Sequence, residues 1–118
     1  MALIVKGVEK MSLAKLDENR FNEVVYDIGE PCLVIFSRKA CHVCQNVLPI
    51  LEELQPNYSG KFGFYYVDVE ANKSLYQGFS LKGVPQILFF KDGEYQGKLT
   101  GSVEEEQLAE RIADITES

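Results

Sequence analysis

The sequence predicts an α/β fold, with a central mixed β-sheet covered by helices on both faces. Three observations predict it. Two apolar runs, Cys32–Ser37 and Gln86–Phe90, read as strands buried on both sides, so each needs a covering layer above and below. Segments with apolar residues at helical spacing are interleaved with the strands. An Asp92-Gly93 turn then sends the second run back as a hairpin, which brings an antiparallel pair into the sheet.

The elements follow in order. Asp17-Glu-Asn19 opens a first helix, because Asp and Asn side chains accept the orphan N–H groups of a helix end. Phe21, Val24, Val25 and Ile28 form its apolar face, and Gly29 and Pro31 end it. The strand Cys32–Ser37 follows. From Cys44 the period changes, and Cys44, Val47, Leu48 and Leu51 form one helical stripe, with Pro49 expected to kink it. Phe62–Val69 reads as a second strand, with Tyr65 and Tyr66 packing on the sheet, and Asn72–Phe79 as a short helix. Gln86–Phe90 and Glu94–Thr100 are the hairpin strands. Ser102-Val-Glu-Glu105 matches a capping box, and Leu108, Ile112 and Ile115 mark the inner face of the last helix.

Composition narrows the function. The chain has 118 residues, enough for one core, with residues 1–10 expected as an extension and 11–118 as the domain. The net charge is −6, a sign that disfavours nucleic acid and anionic membranes as partners. No apolar run approaches the roughly 20 residues of a membrane span, and the start lacks a leader-like pattern. A cytoplasmic protein is therefore expected, and a monomer, since nothing in the sequence requires a dimer. Three cysteines do not make a disulfide framework, and in a reducing compartment a pair with two residues between them points to catalysis or metal binding.

That pair, Cys41-His-Val-Cys44, opens a helix directly after a buried strand and a short loop. At a helix N-terminus the first N–H groups are unpaired and the dipole is positive, so a thiolate there is stabilised. Arg38, Lys39 and a protonated His42 add to this. Cys41, at the tip, suits the attacking nucleophile, and Cys44, on the buried stripe, suits the resolving thiol. Zinc is the competing use. It needs four ligands, and the chain has one His and three Cys, of which His42, Cys41 and Cys44 crowd one turn. Cys32 lies a strand's length away, roughly 15 Å or more, and reads as a small buried core residue. No metal or organic cofactor is expected.

With these residues in place, the chain resembles the thioredoxin family. The apolar strand running into Cys41 and Cys44, the helix proline Pro49, Gly83-Val84-Pro85-Gln86 before an apolar strand, and Phe90-Lys-Asp-Gly-Glu94 followed by Gly101 match that family in order and spacing over roughly residues 12–116. The resemblance implies a thioredoxin-like fold and a thiol–disulfide oxidoreductase. It further implies a cis peptide bond before Pro85 and a Val84 backbone that binds an extended substrate segment. Its partners would be disulfide-containing protein substrates and an upstream reductase. The departures are specific. His42-Val43 stands where the family carries Gly-Pro, Ala40 and Ser37 fall on its tryptophan or aromatic positions, and Ile35 and Tyr66 on its buried acid and partner lysine. With no acid to receive the Cys44 proton, resolution falls to water or His42. The competing readings are a partner-binding module whose cysteines act as a redox switch, a disulfide isomerase or oxidant, and a purely structural pair.

Overall fold

The computed structural model describes residues 13–117. The expected extension at residues 1–10 lies outside the described residues. Five strands form one sheet in the order β1-β3-β2-β4-β5. They are β1 (Ala14–Lys15), β2 (Cys32–Ser37), β3 (Gly63–Asp68), β4 (Gln86–Lys91) and β5 (Glu94–Thr100). β2 runs parallel to β3, as does β1, while β4 is antiparallel to both β2 and β5. The sheet is thus mixed, as expected, because helical crossovers feed the parallel strands and the Asp92-Gly93 turn feeds the antiparallel ones.

The period of two along each strand sorts side chains onto two cores. Leu33, Ile35, Ile87 and Phe89 point to one face, where they meet Val47 and Leu51 of helix α2 (His42–Leu54) and Leu108 and Ile112 of helix α4 (Glu105–Glu117). Cys32, Val34, Phe36, Leu88 and Phe90 point to the other. There they meet Phe21, Val24 and Val25 of the first helix and Leu75 of α3 (Lys73–Gly78). Phe21 is the hub of that second core. Its ring lies edge-on to Phe36, Phe79 and Phe90 at centroid distances of 6.3, 5.7 and 5.6 Å.

Four local details differ from the sequence reading, the first being the two-residue strand β1, which was not expected. The first helix starts as expected, with the Asp17 side chain accepting from the Arg20 N–H at 2.8 Å. It is α-helical only over Glu18–Phe21 (α1) and continues as a π-helix over Asn22–Ile28. The wider turn rotates Ile28 off the apolar face, so it is 62% exposed instead of packed. Gly29 closes the segment with a left-handed φ of 71°, and its N–H returns to the Val24 carbonyl. At the other end of the chain, the last helix begins at Glu105 and not at Ser102. Val103 is buried, and the helix starts only beyond it. The bond at this end is the Glu104 N–H donating to Gln107 Oε1 at 2.8 Å. Finally, α2 ends in a 3₁₀ turn at Gln55–Tyr58 that periodicity did not signal.

Candidate active site

β2 ends at Ser37, and the loop Arg38–Ala40 delivers Cys41 to the N-cap of α2. Cys41 has extended backbone, and its Sγ accepts the Cys44 N–H at 3.2 Å. This sulfur therefore takes one of the helix donors that have no intrahelical partner. Cys41 and Cys44 are joined by a disulfide with their Cα atoms 5.3 Å apart, which is ordinary disulfide spacing. Cys41 is partly exposed, Cys44 is buried and His42 is exposed. Pro49 sits inside α2. Having no N–H, it leaves the Gln45 carbonyl without its helical donor.

The charges around the pair are partly committed. The Arg38 guanidinium lies 3.4 Å from the Glu70 carboxylate. The Lys39 carbonyl accepts from the Gln45 side chain at 3.2 Å. Lys39 is also close enough to Tyr66 to oppose the rise of its hydroxyl pKa, which burial and the Asp68 charge push up. Ile35 is fully buried and faces Tyr66 across the β2–β3 pair, so apolar and phenolic groups occupy the positions where the family resemblance places an acid and a lysine.

The antiparallel pairing of β4 on β2 sets Gln86 opposite Phe36, which brings the loop before β4 to the end of the sheet where β2 delivers Cys41. The Val84–Pro85 bond in that loop is cis. Pro85 is buried, and its carbonyl accepts the Gly101 N–H at 3.1 Å. Two side chains that sequence reasoning did not single out hold the neighbouring residue. The Gly83 N–H donates to Tyr76 Oη at 2.6 Å, and the Gly83 carbonyl accepts from Gln86 Nε2 at 2.8 Å. The available signal for Gln86 was a polar residue at the head of an apolar strand. For Tyr76 there was none, since its partner lies seven residues away across a loop.

Cys32 stands apart from this chemistry. It is fully buried at the start of β2, paired in register with Gly63 and Phe90. Burial, and secondarily the Glu30 charge, push its thiol up to about 12, so it holds its proton at neutral pH. A cavity of about 720 Å³ is at this same far end of the strands, beside Glu30, Phe62 and Tyr65. There the Tyr65 hydroxyl, 2.8 and 2.9 Å from the two Glu30 oxygens, donates to that carboxylate. A smaller groove of about 490 Å³ lies at the Cys41 end, between Arg38, Lys73 and Tyr76. Among the described residues no group of three His, Cys, Asp or Glu side chains is placed to hold a metal ion, and no helix is long and apolar enough to cross a membrane.

Comparison with known proteins agrees with this geometry. The thioredoxin family model matches residues 12–114. The chain is 34% identical to a thioredoxin of Staphylococcus haemolyticus over 100 residues, covering 85% of this chain and 94% of that protein. It is 28% identical to a chloroplastic M-type thioredoxin of Pisum sativum, covering 82% of this chain but only 56% of that longer protein. A mutant thioredoxin from Halobacterium salinarum superposes with a TM-score of 0.80 at 25% identity, over 89% of this chain and 91% of that one. With its strand order, its helix-capping cysteine pair at disulfide distance and these matches, the chain belongs to the thioredoxin family.

Proposed function

We propose that this protein reduces disulfides in protein substrates by dithiol exchange through Cys41 and Cys44. The observation that carries the reading is the position of Cys41 Sγ, which accepts a helix N-terminal N–H while bonded to Cys44. In the reduced protein the same donor and the helix dipole stabilise a Cys41 thiolate. The thiolate attacks one sulfur of the substrate disulfide, forming a mixed disulfide and expelling the other sulfur as a thiolate. Cys44 then loses its proton and attacks Cys41 Sγ, releasing the second substrate thiolate and leaving the Cys41–Cys44 disulfide. Two electrons pass to the substrate, and an upstream reductase restores the dithiol.

In this reading the Val84 backbone, beside the cis Pro85, docks an extended substrate segment by a short strand-like pairing. His42 tunes the pair, because a protonated imidazole beside the thiolate favours the reduced form and makes the couple more oxidising. Since Ile35 and Tyr66 fill the places of an acid and its lysine, the Cys44 proton leaves to water or to His42. We further propose that the protein works as a cytoplasmic monomer.

The test is equilibration in defined thiol/disulfide buffers, with alkylated cysteines counted by mass spectrometry. A two-electron transition near about −270 mV supports a reductase, and one more than about 80 mV higher indicates an oxidant, isomerase or sensor. Cys44→Ser should accumulate mixed disulfide and Cys41→Ser should form none. A second reading rests on the buried Ile35. Without a proton acceptor the domain would bind a dedicated partner and use its cysteines as a switch. A reversible Cys41–Cys44 disulfide with little turnover on a general disulfide substrate, together with tight binding of one partner, would favour that module over the enzyme.

A further inference from the structure

Gly83 is exposed, so water is at hand for its N–H and carbonyl. Instead two side chains take them, Tyr76 Oη at 2.6 Å and Gln86 Nε2 at 2.8 Å. The second arrangement is costly. Gln86 is only 5% exposed, and its Oε1 is buried with no hydrogen-bond partner among the described residues. A buried acceptor left unpaired keeps the full penalty of its desolvation. Stability alone therefore does not account for a glutamine at the head of an apolar strand.

Orientation does account for it. The Gly83 carbonyl and the Val84 N–H belong to one planar peptide unit and point in opposite directions. Holding the carbonyl fixes the direction of the N–H. The Tyr76 bond fixes the preceding peptide unit in the same way, from α3. Between these two units Gly83 adopts a φ of +113°, which side-chain-bearing residues rarely adopt, so the backbone has no strong local preference of its own to hold this shape.

We propose that Tyr76 and Gln86 are positioning residues that aim the Val84 N–H at an extended polypeptide segment flanking the substrate disulfide. The inference deepens the reading of Val84 as a docking group and rests on it. Its consequence is selectivity by polypeptide context. A disulfide carried on an extended peptide gains from the fixed N–H, and a small aromatic disulfide with no backbone to pair gains nothing.

The test compares the wild type with Gln86→Met and Tyr76→Phe on two oxidants, insulin and 5,5′-dithiobis(2-nitrobenzoic acid), together with the redox potential and urea unfolding. Each variant should raise KM for insulin about three- to tenfold, the scale of one ordinary hydrogen bond. The kcat on insulin, the rate with the small disulfide and the potential should stay within twofold or unmoved. Gln86→Met should also be no less stable than the wild type, because it removes the unpaired acceptor together with the donor. An insulin KM within twofold of wild type in both variants would overturn the proposal. So would an equal loss on the small disulfide, which would mean general disruption of the site. If Gln86→Met does not fold, Tyr76→Phe carries the same comparison. If the wild type reduces neither oxidant, the proposed function fails separately. The clamp is then read from the rate at which Cys44→Ser protein captures a cystine peptide as a mixed disulfide, with and without Tyr76→Phe. An unchanged rate, or no capture, overturns it.

Discussion

The buried thiol of Cys32 is one group that makes the protein less stable at alkaline pH. Its pKa rises from 9.0 to about 12, chiefly through burial and secondarily through the Glu30 charge. The thiol is neutral when protonated, and the native state keeps that proton longer than the unfolded chain does. Its contribution to stability is therefore complete below pH 9 and is lost as the pH climbs toward 12. Each unit in that window removes about 1.4 kcal/mol, which amounts to about 1.4 kcal/mol by pH 10 and about 2.7 kcal/mol by pH 11. The measurement is urea unfolding at pH 8, 10 and 11 under reducing conditions, so that no disulfide is present for the unfolded chain's Cys32 thiolate to attack, for the wild type and Cys32→Ala. Alanine does not titrate, so the stability advantage of the wild type should shrink by about 2.7 kcal/mol between pH 8 and 11. The Tyr65 and Tyr66 hydroxyls are raised as well, by burial first; the Tyr66 decline is common to both proteins, whereas the smaller part of the Tyr65 rise that comes from the Cys32 charge is lost with Cys32→Ala. A gap that stays constant to within about 0.5 kcal/mol across the range would refute the reasoning. A companion outcome is selective labelling: in the reduced protein, iodoacetamide at pH 8 should modify Cys41 and spare Cys32.

Three further outcomes follow from packing and charge. Phe21→Ala removes the hub of the second core and should cost about 3–5 kcal/mol in urea unfolding, with little change in the redox potential of the Cys41–Cys44 pair. Ile35→Asp puts a carboxyl into a fully buried position, and should destabilise by at least about 3 kcal/mol, more at pH 8 than at pH 5 because burial opposes the charged form. Glu70→Gln breaks the 3.4 Å pair with Arg38, whose side chains are 36% and 61% exposed, and should change stability by less than about 1 kcal/mol.

The strands and the cysteine pair were legible because their signals are local. A continuous apolar run, a two-residue turn and a helix stripe starting at Cys44 each fit within a few residues, and their order implied a mixed sheet covered on both faces. The resemblance extended this to the cis bond before Pro85. The misses share a different cause. β1 is two residues long, too short to show a period. The π-helix at Asn22–Ile28 changes the number of residues per turn without any change in composition, so Ile28 looked like core. The last helix is displaced because Val103 satisfies the core before the helix begins, and no spacing rule reports that. The grip of Tyr76 and Gln86 on Gly83 depends on where a loop passes α3, which is a property of the folded chain.

The antiparallel placement of β4 against β2 also has a consequence in time. The reactive turn, its helix and the strand before it are all complete by Leu54, whereas the loop at Val84-Pro85 is synthesised some thirty residues later. Under the proposed function, the exchange pair is therefore synthesised before the loop that would dock the substrate. In that reading, the pairing of β4 with β2 sets the docking loop beside the cysteine pair, so building that part of the sheet would also build the recognition surface.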